Sequence, residues 1–261
     1  MGIFDSFRKE CPNPYTRADM EKDIHPSRIN RQDAYKDTAS YKTHGTRDTN
    51  ITPLKCAIKK SGDPEIVAEL IQNGADVNWV REFDNETVGD LFHIYGDENI
   101  SLLSILINAG LDLNAKGRWG NTLLYQLIET RNIKLIKLVL EAGADVNSGD
   151  SHGNTPISNA SAYGASEILK LLIRHGGKVN TKNDMNVTPL FEAILGGQAS
   201  VVLAFGIKEP KLENIKILIN TGADVNAVCN NESILDLAYE IEDEEVIKIL
   251  KDAGATKRVQ K

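Results

Sequence analysis

Residues 141–157 read EAGADVNSGDSHGNTPI, and the pentapeptide within them, GADVN, recurs unchanged at 74–78 and 222–226. Looser copies stand at 110–114 (GLDLN) and 176–180 (GGKVN), with a truncated GAT at 254–256. The six leading glycines, Gly74, Gly110, Gly143, Gly176, Gly222 and Gly254, are separated by 36, 33, 33, 46 and 32 residues. A period that steady, broken once by an insertion, marks a stacked repeat architecture. Upstream of each glycine lies an apolar segment such as EIVAELIQNG, IKLIKLVLEAG or SEILKLLIRHGG. Its Ile, Leu and Val fall on one face at helical spacing. The glycine ends that helix, because the next position commonly takes a left-handed conformation that glycine enters without steric penalty. The Asp-Val-Asn that follows is expected to turn its valine inward while the polar side chains bond to nearby backbone.

A second signature keeps step with the first. Thr52, Thr122, Thr155, Thr188 and Ser233 stand where a hydroxyl can cap a helix start, and Pro53, Pro156 and Pro189 follow at the first helical position, where a missing N–H does no harm. Ala57, Ala160, Ala193 and Ala238 recur five residues after the cap and allow close approach of neighbouring helices. One unit is therefore a tip, a short helix, a turn, a longer helix and a glycine stop. No single unit can cover its own apolar side, but stacked neighbours can cover one another. In the third unit the longer helix is expected to bury Leu138.

The T-P-L…A…G-A-D-V-N pattern with a period near 33 resembles the ankyrin repeat, over residues 46–256. The resemblance implies an all-α ankyrin-repeat solenoid of about six helix-turn-helix units with β-hairpin or loop tips. The units span approximately 46–78, 79–114, 115–147, 148–180, 181–226 and 227–256, with a long insertion, about 13 extra residues around 197–210, in the fifth. Residues 1–45 are polar and lack the signature, so they form either an arm or a cap; 257–261 form a tail.

The resemblance further implies binding of another protein through the tips and the exposed side of each first helix. On this chain those positions are Trp79, Arg81 and Phe83 on one tip and Arg118, Trp119 and Asn121 on the next. Ser151, His152, Asn154, Asp184, Met185 and Val187 lie on two further tips, with Glu129, Thr130 and Tyr163 at first-helix ends. Tryptophan and arginine are enriched among interface hot spots. The role reads as a general adaptor or as a dedicated inhibitor of the immunity type that neutralises one toxin or enzyme. A lesser alternative is a membrane-associated scaffold, because MGIFDSF matches the acylation pattern through Gly2 and Ser6.

Composition narrows the remaining classes. A formal charge of -7 argues against phosphate-backbone binding, so no nucleic acid is expected. Neither a signal segment nor an apolar run long enough to span a bilayer is legible, which predicts a cytoplasmic protein, expected to be a monomer. The three cysteines, Cys11, Cys56 and Cys229, are expected to be reduced thiols, and the five scattered histidines suggest no metal site. With no nucleophile elbow, phosphate-binding loop or dinucleotide fingerprint, the chain reads as a non-enzyme without a cofactor.

Overall fold

The threonine and serine hydroxyls do what their positions require. Thr52, Thr122, Thr155, Thr188 and Ser233 accept from the backbone N–H of Lys55, Tyr125, Ser158, Phe191 and Asp236, each three residues on. Ser233 and Asp236 form a reciprocal capping box. These caps open the first helices of a computed structural model that describes residues 17–23, 52–78, 87, 100–163, 165–196 and 212–257. The chain divides into two compact units, Met1–Arg118 and Trp119–Lys261.

In the first unit, α1 (Arg17–Asp23) packs on α3 (Pro64–Gln72). Met20 is fully buried there, and Arg17 forms a 3.1 Å ion pair with Glu69. Helix α2 (Pro53–Cys56) runs on as a π-turn to Ser61, and α4 (Ile100–Asn108) packs on α3. In the second unit the first helices α5 (Leu123–Thr130), α7 (Pro156–Ala162), α9 (Pro189–Leu195) and α11 (Ile234–Glu240) pack each against the next. Behind them stand α6 (Ile133–Glu141), α8 (Ser166–Arg174), α10 (Leu212–Asn220) and α12 (Glu244–Asp252). The recurring alanines, Ala57, Ala160, Ala193 and Ala238, are fully buried.

The core of the second helices is a stripe of Leu135, Ile136 and Val139, then Ile168, Leu169 and Leu172, then Val246, Ile247 and Leu250. Burying each such side chain stabilises by about 1.5–3 kcal/mol. Leu138 is only half-buried, against expectation, because the buried stripe of α6 runs through residues 135, 136 and 139 and leaves 138 at its edge. Among the described residues one tip is a true hairpin, with β1 (Val228–Cys229) pairing antiparallel to β2 (Glu232–Ser233); the others are turns.

All six stop glycines hold φ between 87° and 97°. The polar residues after them divide the work in a way that local turn chemistry did not suggest. The aspartates bond locally: Asp76, Asp112, Asp145 and Asp224 each accept from the N–H two residues on. The asparagines reach into the following repeat. Asn78 donates to the Gly110 carbonyl at 2.8 Å and accepts from the Asp112 N–H at 2.7 Å. Asn147 does the same to Gly176 and Lys178, Asn180 to Gly222 and Asp224, and Asn226 to Gly254 and Thr256. The Asn180 pair is made at 2.9 and 2.8 Å although the insertion falls between its two ends. The insertion itself lies outside the described residues.

Two departures from the repeat have local causes. Gly177 replaces the usual alanine because a Cβ there would stand 2.4 Å from Ile157 Cδ1 and 2.9 Å from the Leu172 carbonyl. Asn214, fully buried on α10, donates to the Ala160 and Ser161 carbonyls and accepts from the Ser166 hydroxyl, tying the fifth repeat to the fourth. The expectation of reduced thiols fails at Cys56, which is disulfide-bonded to a partner outside the described residues; Cys229 is free.

Asn180→Ala removes both bonds that join the fourth and fifth repeats, each contributing about 0.5–1.5 kcal/mol net. Urea denaturation of this variant should show a loss of about 2 kcal/mol; wild-type stability would mean the cross-repeat bonds are not formed in solution.

Candidate binding surface

The tips of the second unit are joined by backbone bonds. Ser151 N–H donates to the Trp119 carbonyl at 3.0 Å, Asp184 N–H to the His152 carbonyl at 2.9 Å, and Cys229 Sγ to the Met185 carbonyl at 3.2 Å. Beneath two of them sits a polar organiser. Asp150 accepts from the N–H groups of His152 and Asn154, from the Asn154 side-chain amide, and from the Tyr125 hydroxyl. Asn183, 33 residues later, accepts from the Met185 and Val187 N–H groups and donates to Asn154 Oδ1. Neither organiser was singled out from the sequence; the signal was an Asp or Asn five residues before the helix-capping threonine.

Tip conformation also repeats. The residue two before each cap is left-handed: Gly120 (φ 69°), Gly153 (φ 77°), Asn186 (φ 61°) and Asn231 (φ 72°). In the 230–231 hairpin and at 119–120 the preceding residue is left-handed too, Asn230 at φ 48° and Trp119 at φ 61°. Asn-Asn suits such a turn; a bulky tryptophan does not, and its conformation costs about 1–2 kcal/mol. Gly120 is required, since a Cβ there would stand 2.9 Å from the Ser151 nitrogen. The strained residue holds its ring in solvent at 78% exposure.

Sequence and structure can now be compared residue by residue. Trp119, Ser151, His152, Asp184 and Met185 are exposed on the joined tips, and Glu129 and Tyr163 are exposed at first-helix ends. Thr130 is half-buried and donates its hydroxyl to the Leu127 carbonyl. Two expected contact residues instead point inward. Val187 is 5% exposed, because its N–H is held by Asn183 and its side chain enters the core. Asn154 is half-buried, its amide taken by Asp150 and Asn183. Asn121 is half-buried, with Oδ1 sealed from solvent. Trp79, Arg81, Phe83 and the side chain of Arg118 lie outside the described residues.

The first-helix face carries a polar line that sequence reasoning missed. Gln126, Asn159 and Glu192 each stand four residues after a cap, on α5, α7 and α9, and all three are buried. Burial and the nearby Asp150 push the Tyr125 phenol far above its usual range; burial, then Glu129 and Glu192, raise that of half-exposed Tyr163. Burial alone pushes the Glu192 carboxyl from 4.5 up to about 7.

At the C-terminal end the acidic run is explained locally. Asp243 caps α12 by accepting from the Glu245 and Val246 N–H groups, Glu244 and Glu245 oppose the helix dipole, and Glu245 pairs with Lys216 at 3.3 Å. No described helix is long and apolar enough to cross a membrane.

A family model described as "Ankyrin repeats (3 copies)" matches residues 54–150 and 91–183. No curated protein sequence matches the chain. Among solved structures, an ankyrin repeat domain from Acinetobacter baumannii is similar, with a TM-score of 0.67 and 25% identity. The match covers 78% of this chain and 98% of that one.

Two outcomes follow from the geometry. Trp119→Asn keeps the turn and relieves the strain, so its chemical stability should equal or exceed wild type by about 1 kcal/mol; a clear loss would mean the ring packs against the protein. For Glu192 the folded state holds the proton more tightly than the unfolded chain does. No penalty exists below about pH 4.5, one grows as pH rises towards 7, and above that it stays near 3 kcal/mol. Glu192→Gln, which mimics the protonated acid, should therefore gain about 3 kcal/mol more over wild type near pH 8 than near pH 4 in urea titrations. An equal gap at both pH values would mean the carboxyl ionises as freely folded as unfolded.

Proposed function

The chain belongs to the ankyrin repeat family, whose members generally bind other proteins, and on that premise we propose that it is a non-enzymatic, cytoplasmic binding module. It engages its partner through the joined tips headed by Trp119 and the first-helix face bearing Glu129 and Tyr163. The observation that carries this reading is Trp119 itself. Folding stability favours glycine or asparagine at a left-handed tip position, and an exposed ring adds nothing to the core. A large rigid aromatic displayed at such a conformational cost is the residue type that dominates interface energetics. Met185 continues the exposed apolar line two repeats on, with Ser151 and His152 between them as polar contacts.

The family is typically non-enzymatic, and the tip side chains supply contact area and hydrogen bonding in place of a reactive centre. Whether the partner is one protein held tightly, as for an inhibitor, or several held loosely, as for an adaptor, is decided by what the protein captures in its native cell.

Affinity capture with wild-type protein and with Trp119→Asn, read by mass spectrometry and then by calorimetry on the recovered partner, tests the proposal. The variant should bind weaker by about 2 kcal/mol or more while melting normally. A partner indifferent to Trp119 would remove the tips from the interface.

A further inference from the structure

Glu192 is an acid without a reason to be where it is. It sits in the middle of α9 at 8% exposure, with no hydrogen-bond or ion-pair partner among the described residues. One repeat back, at the same register on the packed helix α7, Asn159 is 5% exposed and its Oδ1 has no hydrogen-bond partner. The Asn159 side chain lies within reach of the Tyr125 hydroxyl, so its amide is ordered by a neighbour while its oxygen is left over. Both groups are acceptors, both are desolvated, and buried acceptors left unmatched are destabilising unless something supplies donors.

The surroundings specify the donor. From the end of α7, Tyr163 faces Glu192 with a half-exposed ring; from β1, ahead of α11, Cys229 faces it, with Glu232 and Lys182 beyond. Glu129 lies on the other side of Tyr163. The charged groups of α10, Glu213 and Lys216, are paired with Lys170 and Glu245, and Asp236 of α11 is bonded to Ser233. The Arg131 guanidinium is held by the Tyr163 carbonyl at 2.9 Å. An acceptor pair beside an aromatic face flanked by carboxylates matches a cation bearing several N–H donors.

Resting on the protein-binding reading, we infer that Glu192, with Asn159 and Tyr163, forms the socket for one lysine or arginine side chain presented by the partner protein. The incoming cation supplies the donors both acceptors lack, lies against the Tyr163 ring, and displaces the proton that burial otherwise keeps on the carboxyl. Binding therefore strengthens with pH between about 6 and 8, as ionised Glu192 becomes available.

Two measurements test this. The side-chain carboxyl 13C resonance of Glu192, assigned by its loss in Glu192→Gln, is titrated with pH in Nα-acetyl-arginine amide or Nα-acetyl-lysine amide. Nα-acetyl-norleucine amide at matched sodium chloride serves as the uncharged control. The cationic probes should lower the midpoint from about 7, and Tyr163→Ala should shrink that displacement. Equal midpoints with all three probes overturn the socket. Second, Glu192→Gln should weaken binding of the recovered partner by about tenfold near pH 8 and far less near pH 6. Glu167→Gln, on the outer helix α8, should have no effect. A partner sensitive to Trp119 but indifferent to Glu192 sinks the socket and leaves the binding proposal standing. A midpoint displaced by arginine, with no Trp119-dependent partner, does the reverse.

Discussion

The side-chain amide of the asparagine that closes the pentapeptide is the bond on which the repeat-to-repeat spacing depends. It has two partners in the next repeat, the stop-glycine carbonyl and the N–H two residues on, and only a group with a donor and an acceptor on one planar head can satisfy both. Aspartate could accept but not donate; lysine could donate but not accept. That asymmetry explains why the copies drift at some positions and not at others. Asp gives way to Lys178 in the fourth repeat at the cost of one local bond, yet Asn180 is retained and bridges as its counterparts do. The last copy receives the bridge from Asn226 at Gly254 and Thr256, and it carries Arg258 where an asparagine would reach onward. With no further repeat to meet, the constraint on that position is lifted.

From this spacing follows the geometry of the tips in the second unit. Because consecutive stop glycines are held at fixed separation, the turns that follow them come close enough for backbone bonds such as Ser151 to Trp119 and Asp184 to His152. Asp150 and Asn183 then absorb the backbone N–H groups of the turns and link to each other through Asn154. The tips are thus ordered from beneath, so their outward side chains take little part in holding them. That division frees Trp119, His152 and Met185 for contact with something else.

The sequence displayed the parts of this fold that depend on one residue type obeying a local rule. A glycine at positive φ, a hydroxyl at a helix start, a proline at the first helical position and an alanine at a close approach are each visible in isolation, and each behaves as the pattern predicts. The asparagine bridges were not visible, because their partners lie some 30 to 40 residues away and the same side chain also suits a local turn. The inward turn of Val187 and Asn154 was hidden for a related reason: a tip has no fixed period of in and out, so which residues face solvent is decided by the organisers below. Glu192 was masked by ordinary expectation, since an acid within PLFEAIL reads as a solvated helix position. Aligning residues four past each cap, Gln126, Asn159 and Glu192, would have exposed the polar line.

The two residues that folding energetics most disfavours are both on the second unit, and neither lies on its second helices. Trp119 is strained by about 1–2 kcal/mol and Glu192 penalised by about 3 kcal/mol at neutral pH. The outer helices carry no such liability among the described residues. Their charges meet in exposed pairs, Lys170 with Glu213 and Lys216 with Glu245, of the kind that contributes little to stability and leaves it unharmed. Marginal stability of a few kcal/mol makes penalties of this size hard to carry without compensation. Since contacts within the repeats offer Glu192 no partner and the Trp119 ring no packing, the compensation lies in what these groups meet outside the chain. The physical asymmetry between inner and outer helices thus supports recognition on the tip and first-helix side.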